Sequence, residues 1–262
     1  MMNIKEKISV VTGAGKGIGR AIARMLLKRG AFVVLVARRT HVLKDLQKKI
    51  DKNEERSLII GADISDEKQV VHLFDKVRKE LGPVQILINN AGVGTKKPME
   101  VQSYNTADWD RIVNTNLKGS FFSAREALRS MQEKRLGTII NIVSITGIKA
   151  APNVLPYSVS KFGMMALGQT LLAENLKLGI KIHNICPGTT NTSIWDKKET
   201  PVSEAKRKRM LKPEDIASVA EFLLTLPKNV RIDEVVVLPN YFPVELWDYA
   251  ILEDNDSESR DE

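Results

Sequence analysis

The stretch Ile8-Ser-Val-Val-Thr-Gly-Ala-Gly-Lys-Gly-Ile-Gly19 decides the fold of this chain. Its first five residues form a short run rich in β-branched side chains, which suits a strand buried on both faces. Four glycines follow within seven residues, and apolar residues then recur at helical spacing over residues 20–29, before Gly30. A strand, a glycine turn and a helix in this order place backbone N–H groups at a helix N-terminus, where a phosphate binds well.

The rest of the chain repeats this alternation of strand and helix. Further strands are predicted at residues 31–37, 57–61, 84–89, 138–143, 180–186 and 234–238. Helices are predicted at residues 40–52, 65–81, 106–135, 157–177 and 213–226, with Ser65 as the N-cap of the second. Strict alternation predicts a single-domain, doubly wound α/β fold with a seven-stranded parallel sheet, in which ligands bind beyond the carboxyl ends of the strands.

Composition narrows the class of protein. The chain has 262 residues, of which 43% are hydrophobic, enough for the core of one α/β domain. Cys186 is the sole cysteine and excludes an internal disulfide, which favours a reducing compartment. No apolar run approaches the ~20 residues that cross a bilayer, and residues 1–7 do not resemble a secretory signal. We therefore expect a cytoplasmic protein that does not associate with membranes.

The charge is distributed unevenly. The total is +8, but the last ten residues hold six acids and one arginine, a net of −5, so the other 252 residues carry +13. This pattern predicts a domain over residues 1–240 and a C-terminal extension over 241–262 with a disordered acidic tail. A solvated basic surface, an acidic small ligand and an acidic protein partner all explain the positive excess. Nucleic acid is not expected, because basic residues interleaved with aromatics on a binding module are missing.

A second motif follows the strand at residues 138–143. Ser144 comes directly after this strand, and Tyr157-Ser-Val-Ser-Lys161 opens the next helix. Tyr157 and Lys161 are four residues apart and therefore share one helix face. An ammonium beside a phenol favours loss of the phenolic proton, which acid–base chemistry at neutral pH requires. The three histidines are scattered and show no metal-ligand spacing, so no metal is expected.

The end of the second strand indicates the type of dinucleotide. An NAD enzyme usually carries an acidic residue there, about 20 residues past the glycines, to bind the ribose hydroxyls. This chain has Arg38 and Arg39 instead. Guanidinium groups pair well with phosphate, and Lys16 in the glycine loop could reach the same phosphate, so NADP(H) is favoured. In the alternative interpretation, the two arginines are only solvated.

Five motifs in order and spacing resemble the short-chain dehydrogenase/reductase family over about residues 5–240. They are Thr12-Gly13-x-x-x-Gly17-x-Gly19, Asn89-Asn90-Ala91-Gly92, Asn116, Ser144 and Tyr157-x-x-x-Lys161, and Pro187-Gly188 also fits. The resemblance implies a Rossmann-type catalytic domain that transfers a hydride between a nicotinamide cofactor and a ketone or alcohol.

The resemblance also implies a role for each catalytic residue. Tyr157 would donate a proton to the ketone oxygen, and Ser144 would hydrogen-bond that oxygen. Lys161 would lower the tyrosine pKa and hold the nicotinamide ribose. Asn116 would hold a water that relays protons to Lys161; its Asn-Leu-x-Gly context distinguishes it from Asn114.

The cofactor contacts follow in the same way. Asp63 and Ile64 would contact adenine, Asn90 would sit at the ribose and tie its strand to a neighbour, and Thr192 would hold the carboxamide. Asn89 and Asn90 could instead be architectural. The predicted cofactor-binding residues are Gly13, Gly15, Lys16, Gly17, Ile18, Gly19, Arg38, Arg39, Asp63, Ile64, Asn90, Ala91, Gly92, Tyr157, Lys161, Pro187, Gly188, Thr190 and Thr192.

The substrate is less defined than the chemistry. The chain is closest in look to 3-oxoacyl-acyl-carrier-protein reductases, in which two arginines flank the mouth of the site. Arg135 matches one of them, but Leu178 occupies the other position, beside Lys177. The ending after the last strand looks more like NADP-dependent 3-hydroxy acid dehydrogenases and related carbonyl reductases. A ketone or an acyl thioester is therefore expected, with acyl carrier protein as one candidate partner.

Three further expectations concern partners and class. The apolar helix faces at 116–131 and 157–176 exceed what one sheet face needs, and family members bury them in a homotetramer or homodimer. Lys206-Arg-Lys-Arg209 lies in the lid predicted at 191–212, where it could steer an acidic substrate or simply be a solvated helix face. The alternative from another class is a non-catalytic dinucleotide-sensing protein, but such proteins typically lose the residues that this chain keeps.

Overall fold

The computed structural model describes residues 4–51, 53, 55–197 and 202–240. The predicted extension at 241–262 lies outside these residues, as does the part of the predicted lid at 198–201. The described residues form one seven-stranded parallel sheet in the order β3-β2-β1-β4-β5-β6-β7. The strands are β1 Ile8–Thr12, β2 Phe32–Ala37, β3 Ser57–Gly61, β4 Ile86–Asn89, β5 Gly137–Ile142, β6 Ile180–Pro187 and β7 Glu234–Val237.

Helices connect the strands and cover both faces of the sheet. The helices are α1 Gly17–Lys28, α2 Thr40–Ile50, α3 Glu67–Glu80, α4 Thr106–Val113, α5 Gly119–Lys134, α6 Leu155–Asn175, α7 Glu204–Arg209 and α8 Pro213–Leu224. Short 3-10 turns lie at Val101–Ser103, Ile145–Gly147, Leu176–Leu178 and Trp195–Lys197. Because β1 pairs with both β2 and β4, the strand order reverses there and opens a crevice at the carboxyl ends of the strands.

Each strand divides its side chains between two cores. In β2, Val33 and Leu35 point into the core shared with α1 and α8, whereas Val34 and Val36 point into the core shared with α3 and α5. All four are fully buried, and complete burial of such a side chain stabilises the fold by about 2 kcal/mol. Burial on both faces explains why the strands are continuous apolar runs rather than alternating ones.

Three asparagines link the strands nearest the crevice. Asn89 on β4, Asn141 on β5 and Asn184 on β6 are in register. The Asn89 amide donates to the Asn141 side-chain oxygen at 3.1 Å, and the Asn141 amide donates to the Asn184 oxygen at 2.9 Å. We call these three residues the asparagine ladder. Gly168 of α6 packs directly on it, because a Cβ there would lie 2.2 Å from Oδ1 of Asn184.

The start of α3 differs from the prediction. Its N-cap is Asp66, whose carboxylate accepts hydrogen bonds from the backbone N–H groups of Lys68 and Gln69. The prediction of Ser65 was wrong: Ser65 instead donates both its N–H and its hydroxyl to Asp63, at 3.0 and 2.7 Å. The Asp66 carboxylate, one residue later, accepts the helix N–H groups in its place.

The predicted helix at 106–135 is interrupted. A π-helical turn, Asn114–Lys118, separates α4 from α5. α5 then ends at Arg135, which adopts a left-handed conformation with φ of 50°. The guanidinium of Arg135 donates to the carbonyl of Lys177 at 3.1 Å. Among the residues that the structure describes, no helix combines the length and the apolar character needed to cross a membrane.

Candidate active site

Most of the predicted site residues come from six connections at the carboxyl edge of the sheet, and one of these, after β3, carries Asp63 and Ile64. The glycine loop follows β1, the two arginines follow β2, and Asn90 follows β4. Ser144 follows β5, and Gly188 follows β6. Parallel strands place all of these connections at one edge, so residues distant in sequence line the same crevice.

Glycine is required in the loop after β1. Gly13 and Gly17 have φ of 67° and 53°, a left-handed conformation that favours glycine. A Cβ at Gly13 would lie 2.8 Å from the Ala91 backbone, and one at Gly19 would lie 2.3 Å from the amide of Asn90. The loop is therefore a backbone-lined cradle, and α1 begins directly after the exposed Lys16. The unpaired N–H groups of its first turn are suited to an anion.

Thr12 fixes the crevice between β1 and β4. Its hydroxyl donates to the Ile88 carbonyl at 3.1 Å and accepts from the N–H groups of Asn90 and Ala91, each at 3.0 Å. The Asn90 amide donates back to the Thr12 carbonyl at 2.9 Å and to the Gly13 carbonyl at 3.3 Å. Asn90 thus connects the end of β4 to the end of β1, as one of the two interpretations expects. Its contact with the cofactor ribose stays a prediction. The sequence analysis assigned Thr12 no role, although a threonine between a buried strand and glycines was a usable signal.

The end of β2 presents a cation beside a carboxylate. The Arg38 side chain is 63% exposed, and its guanidinium lies 3.5 Å from the Asp63 carboxylate. Burial alone would raise the pKa of Asp63, but hydrogen bonds from Ser65 and the charge of Arg38 together lower it below its ordinary value. An exposed ion pair of this kind contributes at most about 1 kcal/mol, so a phosphate can compete for Arg38. Arg39 is exposed at the start of α2, and Ile64 is buried.

Ser144 lies where β5 passes into the following turn. Its hydroxyl oxygen accepts a hydrogen bond at 3.1 Å from the N–H of Thr146 and thereby caps the 3-10 turn Ile145–Gly147. The backbone N–H of Ser144 faces the sulfur of Cys186 on β6. The Ser144 side chain is thus held at a defined position at the carboxyl edge of the sheet.

Tyr157 and Lys161 lie on successive turns of α6. Tyr157 is half-buried near the start of the helix, and Lys161 is only 4% exposed. The Lys161 ammonium donates to the Ile142 carbonyl at 2.9 Å and to the Met164 sulfur at 3.4 Å. It lies 5.8 Å from the centroid of the Tyr157 ring. The predicted pairing of phenol and ammonium is therefore present in space, whereas the roles of the two groups in the reaction remain predictions.

Burial changes the acidity of two groups at this point. Burial lowers the pKa of Lys161 from 10.5 to about 8, so the side chain is still mostly charged at neutral pH. Burial raises the pKa of Cys186 to about 11, which keeps the thiol protonated and unreactive. The site thus contains a positive charge that is shielded from solvent.

Asn116 lies in the π-helical turn and is fully buried. Its side-chain oxygen accepts from the Val93 N–H at 2.8 Å, and its amide donates to the Val93 carbonyl at 3.0 Å. The amide also donates to the hydroxyl of Ser160 at 3.0 Å, and that hydroxyl donates to the Tyr157 carbonyl at 2.7 Å. Asn116 therefore joins the loop after β4 to the first turns of α6. Its predicted water-holding role stays a prediction, and the contribution of Ser160 was missed.

The connection after β6 forms the other wall. The Thr190 hydroxyl donates to the Gly188 carbonyl at 3.1 Å, and Thr190 pairs in a parallel bridge with Leu211. Next in the chain, Thr192 lies over the glycine loop, since a Cβ at Gly17 would be 3.1 Å from its methyl group. The predicted lid therefore begins in contact with the loop predicted to bind phosphate.

These residues fit a bound dinucleotide. The cradle after β1 leaves no room for side chains, Arg38 lies at one end of the edge, and the connection after Pro187 lies at the other. Within the described part of the chain, no group of three His, Cys, Asp or Glu side chains could hold a metal ion.

The parallel sheet and the glycine cradle at its carboxyl edge define a class of protein, the Rossmann-type dinucleotide-binding proteins. Residues 7–202 match the family model described as short chain dehydrogenase. The chain belongs to the short-chain dehydrogenase/reductase family.

Individual relatives agree with this assignment. The chain is 32% identical over 239 residues to an uncharacterized oxidoreductase of Staphylococcus aureus strain USA300, a match that covers 91% of this chain and 100% of the relative. It is similar to the structure of an alcohol dehydrogenase from the archaeon Thermococcus sibiricus complexed with 5-hydroxy-NADP, with a TM-score of 0.82, 27% identity and coverage of 91% and 98% of the two chains. It is also similar to a metagenomic short-chain oxidoreductase in complex with NADP, with a TM-score of 0.79, 29% identity and coverage of 90% and 98%.

Proposed function

We propose that this protein is an NADP(H)-dependent oxidoreductase that reduces a ketone to a secondary alcohol. The observation that carries the proposal is the buried ammonium of Lys161, 5.8 Å from the ring of Tyr157 on the same helix. A desolvated charge in this position stabilises a phenolate and makes the tyrosine an effective proton donor and acceptor near neutral pH.

Each site residue has a separate role in the proposed reduction. The glycine cradle and Arg38 would hold NADPH, whose chemistry would be the delivery of a hydride to the carbonyl carbon. Tyr157 donates its phenolic proton to the carbonyl oxygen, and Ser144 donates a hydrogen bond to the same oxygen as negative charge develops on it. Lys161 stabilises the resulting phenolate until a proton from solvent restores the phenol. Asn116 and Ser160 keep α6 in register with the loop after β4, so that the donor and the cradle keep their spacing.

Arg38 and Lys16 support NADP(H) over NAD(H). Both are exposed cations beside the cradle, and the β2 end lacks the carboxylate that would bind ribose hydroxyls. Two similar structures contain NADP or a derivative of it. Asp63 orients Arg38 through their ion pair, and the phosphate of the cofactor would replace this partner.

The substrate proposal is a 3-oxoacyl thioester or a small ketone, including the oxidised form of a 3-hydroxy acid. Acyl carrier protein is the less supported partner. Arg135 lies between α5 and the start of β5, at the amino edge of the sheet, whereas Ser144 lies at the carboxyl edge. Within one chain, Arg135 therefore does not flank the mouth as the sequence analysis expected, and its guanidinium already donates to the Lys177 carbonyl.

The proposal is tested by mixing the purified protein with NADPH and a panel of 3-oxoacyl thioesters, small ketones and sugars, and following NADPH absorbance. We expect turnover with at least one ketone, a preference for NADPH over NADH, and a loss of about 10³-fold in kcat in Tyr157→Phe. Thermal unfolding and NADPH binding serve as controls that the variant is folded.

Different failures have different meanings. NADPH binding without turnover of any ketone would favour a non-catalytic dinucleotide-sensing protein. Unchanged turnover in Tyr157→Phe would remove the proposed proton donor. A preference for NADH would remove the role given to Arg38 while leaving the chemistry intact.

A further inference from the structure

The sulfur atom of Met164 lies beside the buried ammonium. Met164 is 1% exposed and is three residues after Lys161 on α6, so the two side chains share a helix face. Its sulfur accepts a hydrogen bond from the Lys161 ammonium at 3.4 Å. The next residue, Met165, is turned elsewhere, with its sulfur 3.6 Å from that of Cys186. Adjacent methionines of almost equal burial therefore have different partners.

Few groups compete for the ammonium at this position. It has three protons to donate, and the Ile142 carbonyl accepts one and the Met164 sulfur another. Among titratable groups, Tyr157 faces it from α6 and Cys186 acts on it from β6. Cys186 is a protonated thiol at neutral pH, so the hydrogen-bond acceptors decide where the ammonium points.

We propose that Met164 is a positioning residue, whose thioether accepts a hydrogen bond from the buried Lys161 ammonium and helps it to keep its proton. This inference rests on the proposed function, because it assigns a supporting group to the lysine of that site. A thioether is a weak, polarizable acceptor. It therefore orients the ammonium without neutralising it, and the charge that acts on the phenol is preserved. A carboxylate or carbonyl at this place would hold the ammonium more tightly.

We expect two substitutions of Met164 to shift the pKa of Lys161 in opposite directions. Met164→Leu preserves the volume but removes the acceptor, so the pKa of Lys161 should fall by about 0.5. Met164→Gln supplies a stronger carbonyl acceptor, so the pKa should rise by a similar amount. Met165→Leu is the matched control, because its sulfur does not contact Lys161, and it should leave the pKa unchanged. The measurement is an NMR titration of the full chain labelled at the lysine Cε carbon, with the Lys161 signal assigned by Lys161→Met.

The titration is independent of turnover, so it separates this inference from the proposed function. If leucine and glutamine both leave the pKa unchanged, or shift it in the same direction, Met164 is only a packing residue and the inference is wrong. In an active enzyme, the alkaline limb of the kcat profile should move with the Lys161 pKa in each variant. If the titration shifts as expected and no ketone turns over, the positioning contact stands and the proposed function fails.

Discussion

At the scale of single residues, the most consequential feature is the burial of a charge. Lys161 has its ordinary pKa of 10.5 in the unfolded chain and about 8 in the folded one. Below pH 8 the ammonium is charged in both states, and its burial disfavours folding. As the pH rises from about 8 to 10.5, the folded protein loses this proton before the unfolded chain does, so this penalty disappears.

We expect Lys161→Met to be more stable than the wild type at pH 7 by about 2 kcal/mol and inactive in ketone reduction. The gain in the free energy of unfolding should shrink as the pH approaches 10.5. Urea unfolding of both proteins at several pH values measures this difference. A gain that did not change with pH would show that the buried charge is not its cause.

The sequence predicts which residues lie at the candidate site better than it predicts the hydrogen bonds that hold them there. The places of Ser144 after a strand and of Tyr157 and Lys161 on one helix face were predictable from local patterns, and their roles in the reaction stay predictions. The bonds of Asn116 to Val93, and those of Thr12 to Asn90, join residues that are far apart in the chain. They depend on a π-helical turn and on strand order, and neither is encoded in a local pattern.

At the scale of secondary-structure elements, the asparagine ladder links the sheet to the reaction centre. Asn141 donates to one neighbouring strand and accepts from the other, with its side chain fully buried. α6 packs on the ladder at Gly168, and the same helix carries Tyr157 and Lys161. The ladder therefore sets the distance of α6 from the sheet, and with it the position of Tyr157.

We predict that Asn141→Leu destabilises the protein by about 2–4 kcal/mol, because buried polar atoms of Asn89 and Asn184 lose their partners. Ile140→Val, a neighbouring substitution on the opposite face, should cost only about 1 kcal/mol. Both values come from urea unfolding at constant pH. Equal losses in the two variants would mean that packing, and not the hydrogen-bonded ladder, explains the effect.

The elements themselves were largely predictable. Continuous apolar runs such as Phe32–Ala37 predict buried strands whatever their neighbours, and each predicted strand is present within two residues of its predicted start. The cap of α3 failed because Ser65 and Asp66 are both good caps, and the choice depends on Asp63. Either residue could accept the backbone N–H groups at the start of α3. The three-dimensional position of Asp63 decides between them, and a local sequence pattern does not give that position.

At the scale of the whole molecule, apolar side chains remain exposed on α5 and α6. Phe121 and Phe162 are 41% and 42% exposed, and Val159 lies one turn before Phe162 on α6. We propose that a second copy covers these helices in a homodimer or homotetramer, because large apolar side chains on adjacent helices mark an interface.

Phe162→Glu should therefore weaken association by about 100-fold or more, since it places a charge in a desolvated contact. Lys44→Glu, on the exposed surface of α2, should leave association unchanged. Sedimentation velocity over a range of protein concentrations gives the mass of each. If the wild type sediments as a monomer throughout, this interface does not form.

The parallel bridge of Thr190 with Leu211 has a consequence for how this enzyme changes over evolution. Two backbone hydrogen bonds flank it, from Asn191 to the Leu211 carbonyl at 2.8 Å and from Leu211 to the Thr189 carbonyl at 3.0 Å. These contacts hold the two ends of the segment between Asn191 and Leu211, which we call the insert, at one point. On the proposed function, mutations in this insert would alter which ketone is accepted, while Tyr157 and Lys161, on a separate helix, keep their places. Substrate range and chemistry can therefore diverge independently, and a library restricted to this insert is the natural starting point for redesigning specificity.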